Sequence, residues 1–278
     1  MRKTVLITGA SSGFGKLIAK KFQSEGWNVV ATMRSPQKET ELNQLDNVMV
    51  TELDVTKPDT ITSAIKQAID KFGTIDTLVN NAGLGIAGPM EGISDEKMRH
   101  QFDVNLFGII NTMKGVLPVM RSNKSGTIIN ISSIGGRVAF PYFSIYMASK
   151  HAVEGLTDSM QYELAPFDIR LKLVEPGLFK TDFGNKSVQA DTSEFEDYDE
   201  ANQKFYDKYF VVEGGSLDDG DPQQVADATY EAATDNSERL RYLVGQSANQ
   251  ILAARQQMSD VDFKGMMTQT VLTAAGIA

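Results

Sequence analysis

Short, continuous apolar runs exchange regularly with longer amphipathic ones along this chain, and few folds accommodate that pattern. The short runs cover 4–8, 28–32, 48–52, 74–80, 126–131, 170–175 and 241–244. Several are β-branched and unbroken rather than alternating, the pattern of strands covered on both faces. Between them, 14–25, 58–72, 95–120, 145–165 and 222–234 carry helical periodicity. Pro58 and Pro222 suit helix starts, and Gly26 and Gly73 suit helix ends. Strand–helix alternation over most of a chain implies an α/β fold: a doubly wound parallel sheet of about seven strands with helices on both faces. Its 278 residues fit one domain spanning 1–278. In such sheets ligands sit beyond the carboxyl ends of the strands, so chemistry is sought there.

Composition excludes several other readings. There is no cysteine, hence no disulfide, no thiol nucleophile and no cysteine-held metal. His100 and His151 are the only histidines, too few for a histidine-rich metal site, and no metal is expected. The net charge of −9 argues against nucleic acid and anionic membrane surfaces as partners, since both need a basic face. No apolar run approaches the ~20 residues that cross a bilayer. The opening Met1-Arg2-Lys3 runs straight into Val5-Leu6-Ile7, too short for the core of a signal peptide, so a cytoplasmic location is expected.

The first strand ends in Thr8-Gly9-Ala10-Ser11-Ser12-Gly13-Phe14-Gly15 and turns helical. Glycines at a strand-to-helix turn let backbone come close to a pyrophosphate, and the helix N-terminus supplies free N–H groups. The competing reading is a glycine-rich turn with no ligand. After the second strand stand Met33 and Arg34. An acid there would bond ribose hydroxyls and favour NAD; Met33 is no acid, and a guanidinium suits a 2′-phosphate, so NADP(H) is expected. The alternative for Arg34 is an ordinary solvated arginine. Asp54, after the third strand, either bonds an adenine or caps the next turn. Asn80-Asn81-Ala82-Gly83, after the fourth, either bridges backbone and ligand or ties its own turn.

The strongest signal is Tyr146-Met147-Ala148-Ser149-Lys150 near a helix start. Spacing of i, i+4 puts both side chains on one face. A phenol with an ordinary pKa near ~10 is a poor acid–base group, but a neighbouring ammonium favours the phenolate and lowers it. The pair then makes a general acid–base. Ser132 and Ser133 end the fifth strand, where a hydroxyl can bond a substrate oxygen. Asn105, between apolar residues in a helix, implies a specific partner, catalytic or structural.

These motifs, in this order up to about Gly245, resemble the single-domain branch of the short-chain dehydrogenase/reductase family. The matching residues are Thr8-Gly9-x-x-x-Gly13-x-Gly15, Asp54, Asn80-Asn81-Ala82-Gly83, Asn105, Ser133, Tyr146-x-x-x-Lys150 and Pro176-Gly177-x-x-x-Thr181. The resemblance implies a Rossmann-type fold and hydride transfer between nicotinamide and a carbonyl or alcohol carbon. Tyr146 would then move the proton, Lys150 would lower its pKa and bond the nicotinamide ribose, and Ser133 would orient the substrate oxygen. Asn105 would hold a water linking Lys150 to solvent. Gly9, Ser11, Ser12, Gly13, Phe14 and Gly15 would line the pyrophosphate. Asp54 and Val55 would meet the adenine, with Arg34 on the 2′-phosphate of NADP(H). Asn81, Ala82 and Gly83 would continue along the adenosine side, and Pro176, Gly177 and Thr181 would close the nicotinamide end.

The stretch 31–34 and the run 81–89 look like the steroid and retinol dehydrogenase subgroup, features that many bacterial ketone reductases share. A carbonyl or ketone reductase, or a secondary-alcohol dehydrogenase, of small apolar substrates is therefore the expectation. A steroid or retinoid dehydrogenase is the neighbouring alternative. A dinucleotide sensor without turnover is a third, against which Tyr146 and Lys150 both stand. The resemblance also implies a homo-oligomer, a dimer or tetramer, through the helices bearing Asn105 and Tyr146.

From Asn185 to Asp221 the chain carries eleven acids against three lysines, a net −8. Aromatics are interleaved: Phe195, Tyr198, Phe205, Tyr206, Tyr209 and Phe210. A lid over 184–220, aromatic toward an apolar substrate and acidic toward water, is one expectation. A solvated helix packed on the body is the other. The tail 246–278 is expected to be helical.

Overall fold

The computed structural model describes residues 2–180, 187–208 and 219–277. Its strands are β1 (Thr4–Ile7), β2 (Asn28–Met33), β3 (Val48–Glu52), β4 (Thr77–Asn80), β5 (Ile86–Ala87), β6 (Gly126–Ile131), β7 (Ile169–Pro176), β8 (Val188–Gln189) and β9 (Arg241–Val244). Seven form one sheet in the order β3-β2-β1-β4-β6-β7-β9, and β5 pairs with β8 apart from it. Every pairing in the large sheet is parallel. The chain runs outward from β1 to β3, then returns to lay β4 on the other side of β1. That reversal opens the crevice where a doubly wound sheet takes ligands.

The helices are α1 (Gly13–Ser24), α2 (Pro58–Phe72), α3 (Asp95–Phe102), α4 (Gly108–Asn123), α5 (Ser144–Leu164), α6 (Glu196–Tyr206), α7 (Gln223–Thr234), α8 (Gln246–Gln257) and α9 (Asp260–Met267). Successive strand residues point to opposite faces, and both faces are covered. Val5, Ile7, Val29 and Ala31 pack with Ile18 and Phe22 of α1 and Val225 and Ala226 of α7. Leu6, Val30, Leu78 and Ile128 pack with Ile61 of α2, Met113 and Val116 of α4, and Val153 of α5. This double burial is why the strands read as continuous apolar runs.

Two of the expected elements differ from the sequence pattern by more than a residue. The strand expected from residue 74 begins at Thr77. The helix expected over 95–120 is divided by a π-helical turn, Asp103–Phe107, between α3 and α4. Asn105 lies on that turn, and its amide clamps the chain at Leu84. A wider turn of this kind interrupts hydrophobic periodicity too briefly to show in the sequence.

The tail adds α8 and α9. Ala248, Phe263, Met267 and Val271 form an apolar cluster with Ile134, Val138 and Phe205. No described helix is long and apolar enough to cross a membrane. Among the described residues no acidic or histidine side chains group to hold a metal ion.

Candidate active site

Six strands, β1, β2, β3, β4, β6 and β7, deliver the motifs to one edge of the sheet. The turn after β1 is built by close approach of backbone. Gly9 and Gly13 adopt φ of +69° and +54°, where L side chains are strained. A Cβ on Gly9 would stand 2.9 Å from the Ala82 Cα. One on Gly15 would stand 2.5 Å from Asn81 Nδ2 and nearer still to the Gly9 carbonyl. Asn81 closes the arrangement: its Nδ2 donates to the carbonyls of Thr8 (3.0 Å) and Gly9 (3.1 Å). The backbone N–H groups of Asn81 and Ala82 donate to Thr8 Oγ1, each at 3.0 Å. So Asn81 ties the turn after β4 to the turn after β1.

Above this, Ser12 is extended and makes no side-chain cap on α1, whose first turn has no acid. The first-turn amides therefore keep their partial positive charge, and Ser11 beside them is exposed. Those features fit an anionic diphosphate. Phe14 meets Phe179 edge-on, ring centroids 5.9 Å apart, joining this turn to the loop after β7. Met33 is buried and Arg34 is exposed at the end of β2. Asp54 Oδ1 accepts from the Thr56 N–H at 3.0 Å and the Thr56 hydroxyl at 2.7 Å. Burial alone would raise the Asp54 carboxyl, but those bonds, with the charges of Lys57 and Arg34, hold it below the usual range. These bonds make Asp54 the cap of its own turn. Val55 is buried against Gly108.

Asn80 is committed inside the protein. Its Nδ2 donates to Asn130 Oδ1 at 2.8 Å, and Thr112 Oγ1 donates to its Oδ1 at 2.6 Å. Asn130 Nδ2 in turn donates to Thr157 Oγ1 at 2.9 Å. This buried chain runs α4–β4–β6–α5 and locks the helix that bears Tyr146 to the sheet. Asn130, Thr112 and Thr157 read in the sequence as ordinary strand and helix residues. Their only signal is polarity inside apolar runs.

Tyr146, Lys150 and Ser133 come together. The Tyr146 hydroxyl hydrogen-bonds the Ser133 side chain, and Lys150 Nζ lies 5.8 Å from the tyrosine ring centre. Lys150 Nζ donates to the Ile131 carbonyl at 2.8 Å. Ser133 Oγ also accepts from the Gly135 N–H at 3.0 Å, capping the short helical turn Ile134–Gly136. The phenol is shifted upward, not downward as the sequence implies, because burial governs both groups. Burial pushes the Tyr146 phenol up to about 12, and only the Ser133 bond works the other way. Burial pulls Lys150 itself down to about 8, against the charge of Glu154. Desolvation here outweighs attraction between the two.

Asn105 has the specific partner expected of it, and that partner is backbone. Oδ1 accepts from the Leu84 N–H and Nδ2 donates to the Leu84 carbonyl, both at 2.9 Å. Nδ2 also donates to Ser149 Oγ at 3.1 Å. Both amide hydrogens are spent on protein, so the side chain positions the Leu84 segment and α5. Ser149, inside the Tyr146–Lys150 motif, carries no signal of this role in the sequence.

Beyond β7, Gly177 and Gly245 flank a carboxylate. Asp219 Oδ2 accepts from the Leu178 N–H (2.8 Å) and the Ser247 hydroxyl (2.6 Å), and Oδ1 accepts from the Ser247 N–H (2.6 Å). A Cβ on either glycine would collide with it. In the sequence Asp219 is one acid among eleven. Pro176 is buried at the end of β7; Thr181 lies outside the described residues, as do Tyr209 and Phe210. Of the acidic stretch, β8 and α6 are described. Phe205 of α6 is buried, stacked on Tyr142 at 4.8 Å and edge-on to Phe143 at 5.8 Å. Phe143 lies 6.1 Å from the Tyr146 ring. Glu196, Asp197, Asp199 and Glu200 face solvent.

The family model for short chain dehydrogenases matches residues 3–192. The chain is 40% identical over 263 residues to "Uncharacterized oxidoreductase YusZ" of Bacillus subtilis, covering 91% of this chain and 93% of that one. It is 43% identical over 195 residues to a 3-ketodihydrosphingosine reductase of Bacteroides thetaiotaomicron, covering 70% and 71%. A short-chain dehydrogenase from Streptomyces avermitilis superposes with a TM-score of 0.81 at 30% identity, covering 100% of this chain and 99% of that one. Structural neighbours hold nicotinamide dinucleotides, in one case NADH and in another NADP. The protein therefore belongs to the short-chain dehydrogenase family of oxidoreductases.

Proposed function

We propose that this chain is an NADP(H)-dependent reductase of apolar ketones and aldehydes, able to run in reverse as a secondary-alcohol dehydrogenase. The observation that carries this is the meeting of Ser133, Tyr146 and Lys150 at the carboxyl edge of the sheet, beside the uncapped N-terminus of α1. A phenol held up at about 12 is neutral at physiological pH and can donate. Tyr146 gives its proton to the carbonyl oxygen, and Ser133 donates a hydrogen bond to that oxygen as its charge develops. Lys150, anchored on the Ile131 carbonyl, keeps a positive charge next to the phenolate left behind. The dinucleotide, when bound, supplies or accepts the hydride. Gly9, Ser11, Ser12, Gly13, Phe14 and Gly15 would hold its diphosphate, with Asn81, Ala82 and Gly83 alongside. Asp54 and Val55 would hold the adenine, and Pro176, Gly177 and Thr181 the nicotinamide end. Arg34, exposed and with no acid before it, supports a 2′-phosphate and hence NADP(H).

Phe143 beside Tyr146, backed together with Tyr142 by the buried ring of Phe205, supports an apolar substrate. The likeness to a 3-ketodihydrosphingosine reductase points the same way. The amphipathic α6, with Phe205 inward and its acids outward, supports a lid over that substrate. Equal limited proteolysis of 187–208 with and without NADPH would count against a cofactor-coupled lid. Exposed Phe107 (52%) and Tyr162 (77%), on the elements bearing Asn105 and Tyr146, support self-association there.

The test is the loss of nicotinamide absorbance with NADPH or NADH and a panel of ketones and aldehydes. Oxidation of NADPH, with NADH much slower, is expected. Tyr146→Phe should lower turnover roughly 10²–10⁴-fold while leaving NADPH binding intact. Tight NADPH binding with no turnover across the panel would instead favour a dinucleotide sensor.

A further inference from the structure

Behind Lys150 lies a buried ionic cluster that the proposed chemistry does not use. Glu154 follows Lys150 by one helical turn on the same face of α5 and is 6% exposed. Its Oε2 accepts from Arg241 Nε of β9 at 3.0 Å. Its Oε1 is buried with no hydrogen-bond partner among the described residues, and so is the hydroxyl of Ser132. Both lie against Gly136: a Cβ there would stand 2.8 Å from Glu154 Cγ, 2.8 Å from Ser132 Oγ and 3.1 Å from the Lys150 carbonyl. Glycine at 136 is thus what lets the carboxylate reach in beneath the serine turn.

The other charges facing this position are accounted for. Glu175 of β7, 1% exposed, pairs with Arg137 at 3.1 Å and with Arg241 at 3.3 Å. Burial and the charge of Glu154 push its carboxyl up to about 7. Arg241 also approaches Asp158 at 3.6 Å. On the other side of Lys150 stand the Ile131 carbonyl and the Tyr146 ring, neither of them an anion at neutral pH. Both arginines have other carboxylates to serve. Glu154 is the carboxylate whose field opposes the burial of Lys150.

We propose that Glu154 is a positioning residue for Lys150: a carboxylate, anchored by Arg241, that keeps the buried lysine in its ammonium form. Arg241 holds one oxygen and fixes the side chain. The second oxygen, without a competing donor, leaves its charge to act on Lys150 through a medium of low polarity. The lysine would otherwise shed its proton into the physiological range, and the phenolate of Tyr146 would lose its counter-charge. This rests on the proposed role of Lys150, but the first test does not.

That test is a titration of the Lys150 side chain by 13Cε-lysine NMR, with Lys150→Met used to assign the signal. In Glu154→Gln the Lys150 midpoint should fall by about one pH unit, a tenfold weaker hold on the proton. Glu154→Asp, which keeps the charge but draws it back by one methylene, should fall between. An unchanged midpoint in Glu154→Gln overturns the proposal. If that variant does not fold, by circular dichroism, the Asp variant decides in the same way: a lowered midpoint supports the proposal and an unchanged one overturns it. Where turnover is measurable, the alkaline limb of kcat/KM should move to lower pH in Glu154→Gln and return toward the original in Glu154→Asp. A role in folding alone would lower the melting temperature and leave that limb in place.

Discussion

The two ends of the site are built from different kinds of contact. At the glycine-loop end backbone meets backbone: Gly9 lies on Ala82, Gly15 lies under the Gly9 carbonyl, and Asn81 binds two carbonyls across the gap. At the end near Tyr142 and Phe205, side chains do the holding: a ring stack, an edge contact and one carboxylate, Asp219, between two glycines. Geometry set by backbone survives drift in most neighbouring side chains but not a Cβ at the contact. Geometry set by side chains shifts with each substitution. On the proposed function, the first end holds the dinucleotide and the second is where the substrate is chosen.

Mutation tests whether the two ends of the site are separable. The largest effect should come from Arg34→Ala. Losing charge-assisted bonds of about 1.5–3 kcal/mol should weaken NADPH roughly ten- to hundredfold and leave NADH unchanged, read by fluorescence titration. Equal weakening of both would remove the argument for a 2′-phosphate. Next is Gly15→Ala, whose Cβ has no space. It should cost about 1–3 kcal/mol of stability and about tenfold in NADPH affinity, because the loop must shift. A variant with unaltered melting and binding would show that the glycine-loop end is not backbone-limited. In function Phe205→Ala should be milder and confined to the other end: about a fivefold rise in KM for an apolar ketone, near 1 kcal/mol, with NADPH affinity unchanged, although emptying a buried ring position costs about 3–5 kcal/mol of stability. A parallel loss of NADPH affinity would mean that the two ends are not separable.

The smallest effect concerns the cluster beneath the serine turn. Burial raises Glu175 to about 7, above its ordinary value. A carboxyl raised on folding adds stability in acid, and that stability is lost as the pH rises through its folded value. Melting temperature should therefore fall between about pH 5 and about pH 8 by an amount that Glu175→Gln reduces. An identical pH dependence in the variant would place the titrating group elsewhere.

Much of the fold and of the site is legible in the order of residues. Seven apolar runs became seven parallel strands, and 58–72 became α2 with the bounds that Pro58 and Gly73 marked. The glycine loop and the Tyr146–Lys150 spacing pointed to one edge of one sheet. The π turn at Asn105 is not legible, because one extra residue in a turn barely disturbs a helical period. Nor is the lowered lysine and raised tyrosine of the buried pair. Sequence shows that two groups are neighbours but not how much water each has lost.

By itself, the order of residues determined what depends on neighbours along the chain: which segments are strands, where helices begin and end, and which side chains share a helical face. Those follow from local sterics and from the burial pattern that each period imposes. The folded chain alone sets Asp219 between Gly177 and Gly245 and lets Glu154 and Glu175 share Arg241. It also decided that Asn80, Asn130, Thr112 and Thr157 join four elements through buried bonds. Such contacts join residues tens of positions apart, and their strength comes from exclusion of water, which exists only once the chain has closed around them.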